Sequence, residues 1–169
     1  MKWVGKSTLL LVLLTSLVTV RAPSATPQTK EQHVLAVIVN PKNKIKNLTM
    51  NELRRIMLGQ KKTFTNGKNI VLLQRPGRSV EGRALLKKVY RMSSRKLRKY
   101  WVNLLFKGRI KAIPTTITKA RGVLRAVAKH PDAISVVLLK DVNKRVKVLT
   151  IDGRKPGMKG YPLLGGPGP

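Results

Sequence analysis

Apolar and polar positions in this chain follow two different periods. Val34 to Val39 is an unbroken, mostly β-branched apolar run, as expected of a strand buried on both faces. Asn40-Pro41 ends it, and Lys42 to Asn47 reads as a charged loop. Thr49-Met50-Asn51-Glu52 has the form of a capping box, with Thr49 as N-cap and Glu52 reaching back. Leu48 and Leu53 stand where a hydrophobic staple belongs. Leu53, Ile56 and Met57 supply the inward face of this first helix, and Gly59 suits its C′ position. A Thr65-Asn66-Gly67 turn signal precedes a second strand at Ile70 to Leu73. A helix is predicted from about Val80 to Met92, with Leu85, Leu86 and Val89 inward. Ser93-Ser94 starts another, in which Leu97, Tyr100, Trp101, Leu104 and Leu105 form one apolar stripe at helical spacing. That stripe reads as core, with Arg95, Lys96, Arg98 and Lys99 on the other face, and Gly108 closes the helix. After a connector around Pro114, Thr118 is placed to cap a fourth helix that turns Ala120, Val123, Leu124 and Val127 inward and stops at His130-Pro131. Ala133 to Leu139 and Val146 to Ile151 are the third and fourth strands, the latter ended by Asp152-Gly153.

Strands alternating with helices imply an α/β layer, and the expected fold is a single three-layer lobe with a mostly parallel sheet flanked by helices. No internal repeat is visible. The 169 residues suffice for one domain with a real core. The N-terminus reads differently from the rest. Lys2 and Lys6 flank a start that runs into Ser7 to Val20, apolar apart from Ser and Thr, and then into Arg21-Ala22-Pro23-Ser24-Ala25. This is the three-part pattern of a secretory signal, with an apolar run short of the roughly 20 residues a membrane span needs. The expected organisation is a signal peptide over 1–25, a linker over 26–32, the α/β domain over 33–153 and a Gly/Pro-rich tail over 154–169. The chain is then periplasmic or secreted; an uncleaved membrane anchor is the alternative.

Charge adds a second theme. Lys and Arg number 36 against 6 acidic residues, a formal net charge of +30. Removal of 1–25 takes out Lys2, Lys6 and Arg21 and leaves +27. Such a field attracts polyanions: nucleic acid, anionic lipid, lipopolysaccharide or phosphorylated solutes. Export counts against nucleic acid. The cations are also spread along nearly the whole chain, as a solvated basic surface would be. No cysteine is present, so disulfides and thiol chemistry are excluded.

One stretch joins both themes. Gln74-Arg75-Pro76-Gly77-Arg78-Ser79-Val80-Glu81-Gly82-Arg83 follows a strand and opens a helix. Arginines and a hydroxyl at a helix N-terminus suit an oxyanion, because free N–H groups and the helix dipole both favour negative charge there. Arg75 is the candidate for bidentate hydrogen bonds; Ser79 and the Val80 amide complete the cradle, and Arg78 is a weaker candidate on the same loop. The bland alternative is an ordinary N-cap serine beside a solvated arginine. Glu81 disfavours a nearby anion, although an acid there also suits the dipole.

Several segments together resemble the periplasmic phosphate-binding proteins of ABC transporters. Ala36 to Pro41 followed by Leu48-Thr49-x-x-Glu52-Leu53-x-x-Ile56-Met57-Leu58-Gly59 is similar to that family's strand ending in Asn and its L-x-x-E-L-x-x-I-F-x-G helix. Asn66-Gly67, Arg75 with Ser79, Tyr100-Trp101 with Phe106-x-Gly108, Pro131-x-Ala133-Ile134, Val148 to Gly153 and Gly160-Tyr161-Pro162-Leu163 follow in order. The resemblance spans Val34 to Leu163 and is to one lobe of a two-lobed family. It implies a periplasmic-binding-protein-like fold and an exported solute-binding-like protein whose ligand is phosphate or another oxyanion, with an ABC permease as partner. The family's phosphate loop reads R-x-x-x-S-G-T. Arg75 and Ser79 match, while Val80 and Glu81 replace Gly-Thr, losing a hydroxyl and adding a carboxylate; the implied binding is weak. Ala133-Ile134-Ser135-Val136 likewise stands where the family has A-I-G-Y.

Other chemistry is thin. His33 and His130 lack a third ligand, and no Ser/His/Asp order, carboxylate pair or P-loop is present, so neither an enzyme nor a cofactor is expected. Tyr100 and Trp101 read as core. Asn47-Leu48-Thr49 is formally a glycosylation sequon. The alternative function is a highly basic protein that binds an anionic envelope polymer without a small-molecule ligand.

Overall fold

A computed structural model of the chain describes Met1 and residues 33–164. The expected signal peptide beyond Met1, the linker over 26–32 and the last five residues lie outside the described residues. Strand β1 (Leu35–Val39) is followed by β2 (Asn47–Leu48), α1 (Met50–Met57), β3 (Val71–Gln74), α2 (Val80–Leu85) and a π-helical turn (Leu86–Tyr90). Then come α3 (Ser94–Phe106), β4 (Thr115–Thr116), α4 (Ala120–Lys129), β5 (Ala133–Leu138), β6 (Lys147–Val148) and β7 (Thr150–Ile151). The main sheet has the order β4-β3-β5-β1-β6, and β2 pairs separately with β7.

Layering follows from the two-sided burial of β1. All five of its residues are completely buried. Leu35, Val37 and Val39 oppose Leu138, Val136 and Ile134 of β5 and share a core with Leu53, Ile56 and Met57 of α1 and Ala84, Leu85 and Val89 beyond α2's start. Ala36 and Ile38 face the other way, onto Val123, Leu124 and Val127 of α4. Helices on both faces of one sheet give the expected three-layer α/β lobe. Burial of Leu53, Ile56 and Met57 stabilises the α1 side by about 1.5–3 kcal/mol each.

Parallel pairings are the majority, at β4-β3, β3-β5 and β2-β7. β1 departs from that pattern and runs antiparallel to both β5 and β6. The long passage after α1 through Phe64 and the Asn66-Gly67 turn returns the chain in the opposite sense, so β3 runs against β1. Helix α1 begins as the sequence predicts. Thr49 Oγ1 accepts from the Glu52 amide at 3.1 Å, and Glu52 accepts from the Thr49 amide at 3.1 Å. Gly59 has the positive φ, +66°, that a helix-ending C′ residue requires.

Four expectations change. The strand expected at Val146–Ile151 is two, because Leu149 turns into the core between them; β6 extends the main sheet and β7 leaves it to meet β2. Thr118 does not cap α4; Lys119 holds the N-cap position with no side-chain hydrogen bond, and the Thr118 carbonyl is engaged elsewhere. The α3 stripe is only partly core: Trp101 is buried, Leu97, Tyr100 and Leu104 are half-buried, and Leu105 is exposed. Past Gly153, the stretch set apart as a tail returns to the lobe. Tyr161 and Leu163 are buried, and the Leu35 amide donates to the Leu163 carbonyl at 3.0 Å.

Candidate functional site

The loop between β3 and α2 is held as a rigid unit by its own sequence. Ser79 is the N-cap: its Oγ accepts from the Gly82 amide at 3.0 Å, and its amide donates to the Pro76 carbonyl at 2.9 Å. Gly82 sits where the loop lies directly on the first turn of α2. A Cβ there would overlap the Pro76 carbonyl oxygen and come within 2.8 Å of the Gly77 Cα. Both are backbone atoms, so only glycine allows this approach. Arg83 reaches back to the Arg78 carbonyl at 2.5 Å and braces the loop from the helix side. By helix geometry the Val80 and Glu81 amides have no carbonyl four residues back within α2 to bond.

Arg75 lies beside this helix start and is already engaged. Its Nε donates to Glu81 Oε1 at 3.1 Å, and its Nη1 donates to the carbonyls of Ile117, at 3.1 Å, and Thr118. The two side chains are 12 and 3 % exposed, so the pair is shielded from water. The Glu81 carboxylate therefore supplies negative charge to the guanidinium that the sequence reading assigns to an anion. The structure thus gives Arg75 a positioning contact with the strand–helix connector 42 residues away. It gives Ser79 a cap, and it leaves Arg78 exposed and Val80 half-buried at the helix start.

A cavity of about 240 Å³ adjoins the loop, bordered by Gln74, Arg75, Gly77, Tyr90, Arg98 and Thr116 among others. Gln74 Nε2 donates to the Tyr90 hydroxyl at 2.7 Å. Burial raises the Tyr90 pKa, so the phenol stays neutral and the wall gains no anionic charge from it. Arg75 and Arg98 both line this space, and the Arg75 guanidinium is paired with Glu81.

Two features that matter here had faint or no sequence signals. Gly82 was detectable only as a glycine inside a helical pattern, which often marks close packing. The Ile117 and Thr118 carbonyls had none, because the contact depends on tertiary folding. The remaining chemistry stays dispersed. His33 precedes β1 and His130 is the C-cap of α4. Among the described residues no three His, Cys, Asp or Glu side chains converge. Tyr100 and Trp101 pack edge to face at 5.5 Å, and the Tyr100 hydroxyl donates to the Leu58 carbonyl at 2.9 Å, which is a structural task.

No protein-family model and no curated protein matches the chain. Solved structures do match it by fold. An ABC-type phosphate transport receptor from Vibrio cholerae superposes with a TM-score of 0.60 at 18 % identity, over 74 % of this chain and 48 % of its own. PstS from Borrelia burgdorferi superposes with a TM-score of 0.63 at 14 % identity, over 80 % of this chain and 55 % of its own. The chain spans about half the length of these proteins. It has the periplasmic-binding-protein fold over one part of that architecture.

Proposed function

We propose that this chain is an exported, solute-binding-like lobe that holds phosphate or a similar oxyanion weakly at the start of α2. The observation that carries this reading is the braced Arg75–Ser79 loop, which presents the amides at the start of α2 beside a guanidinium and the exposed Arg78. The fold likeness to a phosphate transport receptor supports it. Arg75, Arg78, Ser79 and Val80 are the proposed ligand residues. Glu81 sets the affinity: it competes for Arg75, so an incoming anion must share or displace an internal carboxylate. A permease-linked role in the cell envelope, without catalysis, follows from the same reading. Among the described residues no helix is long and apolar enough to cross a membrane.

Isothermal titration of the purified chain with phosphate, at fixed ionic strength, tests this. Saturable heat that disappears in Arg75→Ala supports the site. Binding that is unchanged in Arg75→Ala, or heat no greater than with chloride, refutes the assignment.

A further inference from the structure

The end of α3 bears an apolar surface that neither the fold nor the loop site uses. Phe106 is 86 % exposed and Leu105 40 %. Phe106 is the most exposed large apolar side chain between residues 33 and 164, and Leu105 beside it makes the exposure a pair rather than a single residue. The chain turns back at once after this pair: the Gly108 amide donates to the Leu105 carbonyl at 3.0 Å and the Arg109 amide to the Leu104 carbonyl at 2.9 Å. Exposed Lys107 and Arg109 are therefore held beside the apolar pair. One and two turns earlier on the same ridge stand Asn103 and Lys99, both exposed. From Gly82 to Pro131 the sequence has fifteen Lys and Arg and no acid.

From this we infer that the C-terminal end of α3 docks onto anionic lipid, with Phe106 and Leu105 entering the headgroup boundary and Lys99, Lys107 and Arg109 meeting the headgroup phosphates. The choice of occupant follows from charge. A second copy would bring another strongly cationic body to a cationic patch, and the two would repel. An anionic bilayer offers negative charge and an apolar layer together, within one side-chain length of each other. Lysine and arginine stems can lie along the apolar boundary while their heads stay at the phosphates. Single-stranded nucleic acid would use an aromatic stacking platform, whereas the immediate neighbour of Phe106 is aliphatic Leu105.

The absence of cysteine permits a direct test in the full chain. Asn103→Cys, carrying a polarity-sensitive dye, reports on the end of α3 while Phe106 stays in place. Lys68→Cys, in the exposed turn after Asn66-Gly67, is the reference position. With vesicles of phosphatidylcholine and phosphatidylglycerol, the dye at 103 should shift to the blue and become shielded from an aqueous quencher. Neutral phosphatidylcholine vesicles should produce neither change, and the dye at 68 should respond to neither vesicle. Adding Phe106→Ser to the Asn103→Cys protein should weaken the partitioning seen at 103 by about tenfold, with the fold intact because the ring is exposed. An equal response at 68 and 103, or none at 103 while the protein sediments with vesicles, overturns the inference. So does shielding at 103 before vesicles are added, which would mean that another copy or the apolar stretch at 7–20 covers the patch. A matching response to an oligonucleotide would assign the patch to nucleic acid and overturn it as well.

Discussion

Replacing Glu81 by glutamine separates the two duties of the loop. The substitution keeps the side-chain shape and one acceptor oxygen but removes the charge facing Arg75. Deleting one partner of a buried ion pair costs about 3–5 kcal/mol when the other is left uncompensated. Here Arg75 keeps its bonds to the Ile117 and Thr118 carbonyls, and the carbonyl oxygen of the introduced amide can still accept from its Nε. The loss therefore falls to about 1–3 kcal/mol, the range for a weakened hydrogen bond to a charged group. For a domain of this size, each kcal/mol lowers Tm by roughly 3–6 °C. Phosphate should then restore what glutamine removes. An anion at the guanidinium replaces the missing charge, and a ligand at a hundred times its Kd stabilises by about 2.7 kcal/mol. The expected pattern has two parts. Glu81→Gln melts below the parent protein in chloride, and the gap narrows in phosphate at matched ionic strength. Differential scanning calorimetry in the two salts measures both. Equal phosphate shifts in parent and variant would refute the reasoning, since the anion would then be binding away from Arg75. A larger shift in the parent would refute it more strongly, because Glu81 would be helping the anion.

Three further outcomes follow from other contacts. Gly82→Ala should destabilise the lobe by about 1–3 kcal/mol in urea unfolding, because its Cβ overlaps the Pro76 carbonyl and the gain in helix propensity, about 1 kcal/mol, cannot offset that; a stabilised variant would show that the loop does not lie on α2. Asn40→Ala removes the bonds from Asn40 Nδ2 to the carbonyls of Val127 and Ala128, at 3.0 and 2.7 Å, and should cost about 1–3 kcal/mol, with faster hydrogen exchange in the last turn of α4; unchanged exchange there would sink the idea that Asn40 ties β1 to α4. The Glu52 carboxyl is held below its ordinary pKa, first by the Lys61 hydrogen bond and then by the Thr49 amide. Its contribution is present above the unfolded carboxylate value and lost as pH falls through the lower folded value. The stability gap between the parent and Glu52→Gln should accordingly close on acidification, from no more than about 1 kcal/mol at neutral pH because the group is partly exposed; a gap that widened in acid would contradict the sign.

Local signals carried most of the fold. β1 was legible because a run that is apolar at every position can only be buried on both faces, and Leu35 to Val39 are. α1 was legible at both ends because capping is a matter of neighbours: Thr49, Glu52 and Gly59 lie within one short segment. The direction of β1 was not, since alternation of strands and helices carries no mark of which way a long loop turns the chain. β2, β4, β6 and β7 have only two residues each, too few for a period-two pattern to register. The α3 stripe misled for a related reason. Spacing shows which residues share a face but not how far the neighbouring layer extends, and here cover ends before Leu105. At the site, the Arg75–Ser79 loop and the Ser79 cap were legible. The pairing of Glu81 with Arg75 was only half so: the sequence placed a carboxylate next to the loop's arginines, while its bond to Arg75 depends on a fold that also brings in Ile117 and Thr118.

The scarcity of acid decides how anion binding must be measured in this protein. Of its six acidic residues, Glu52 caps α1 and pairs with Lys61, Glu81 pairs with Arg75, and Asp152 accepts from the Met50 amide at 3.0 Å. These three are tied to local structure at two helix starts, and little negative charge remains to offset thirty-six cations. The folded state concentrates that positive charge, so self-repulsion opposes folding and any added anion relieves it by screening. A rise in Tm with phosphate is thus expected even with no site at all. What screening cannot produce is a difference between two proteins whose net charge differs by one in about thirty. The comparison of Glu81→Gln with the parent cancels the general effect and retains the local one. Arg75→Ala, which lowers net charge by one, brackets it from the other side. A site at the start of α2 requires phosphate stabilisation to fall in the order Glu81→Gln, parent, Arg75→Ala; a purely electrostatic response to a basic surface gives the same shift in all three.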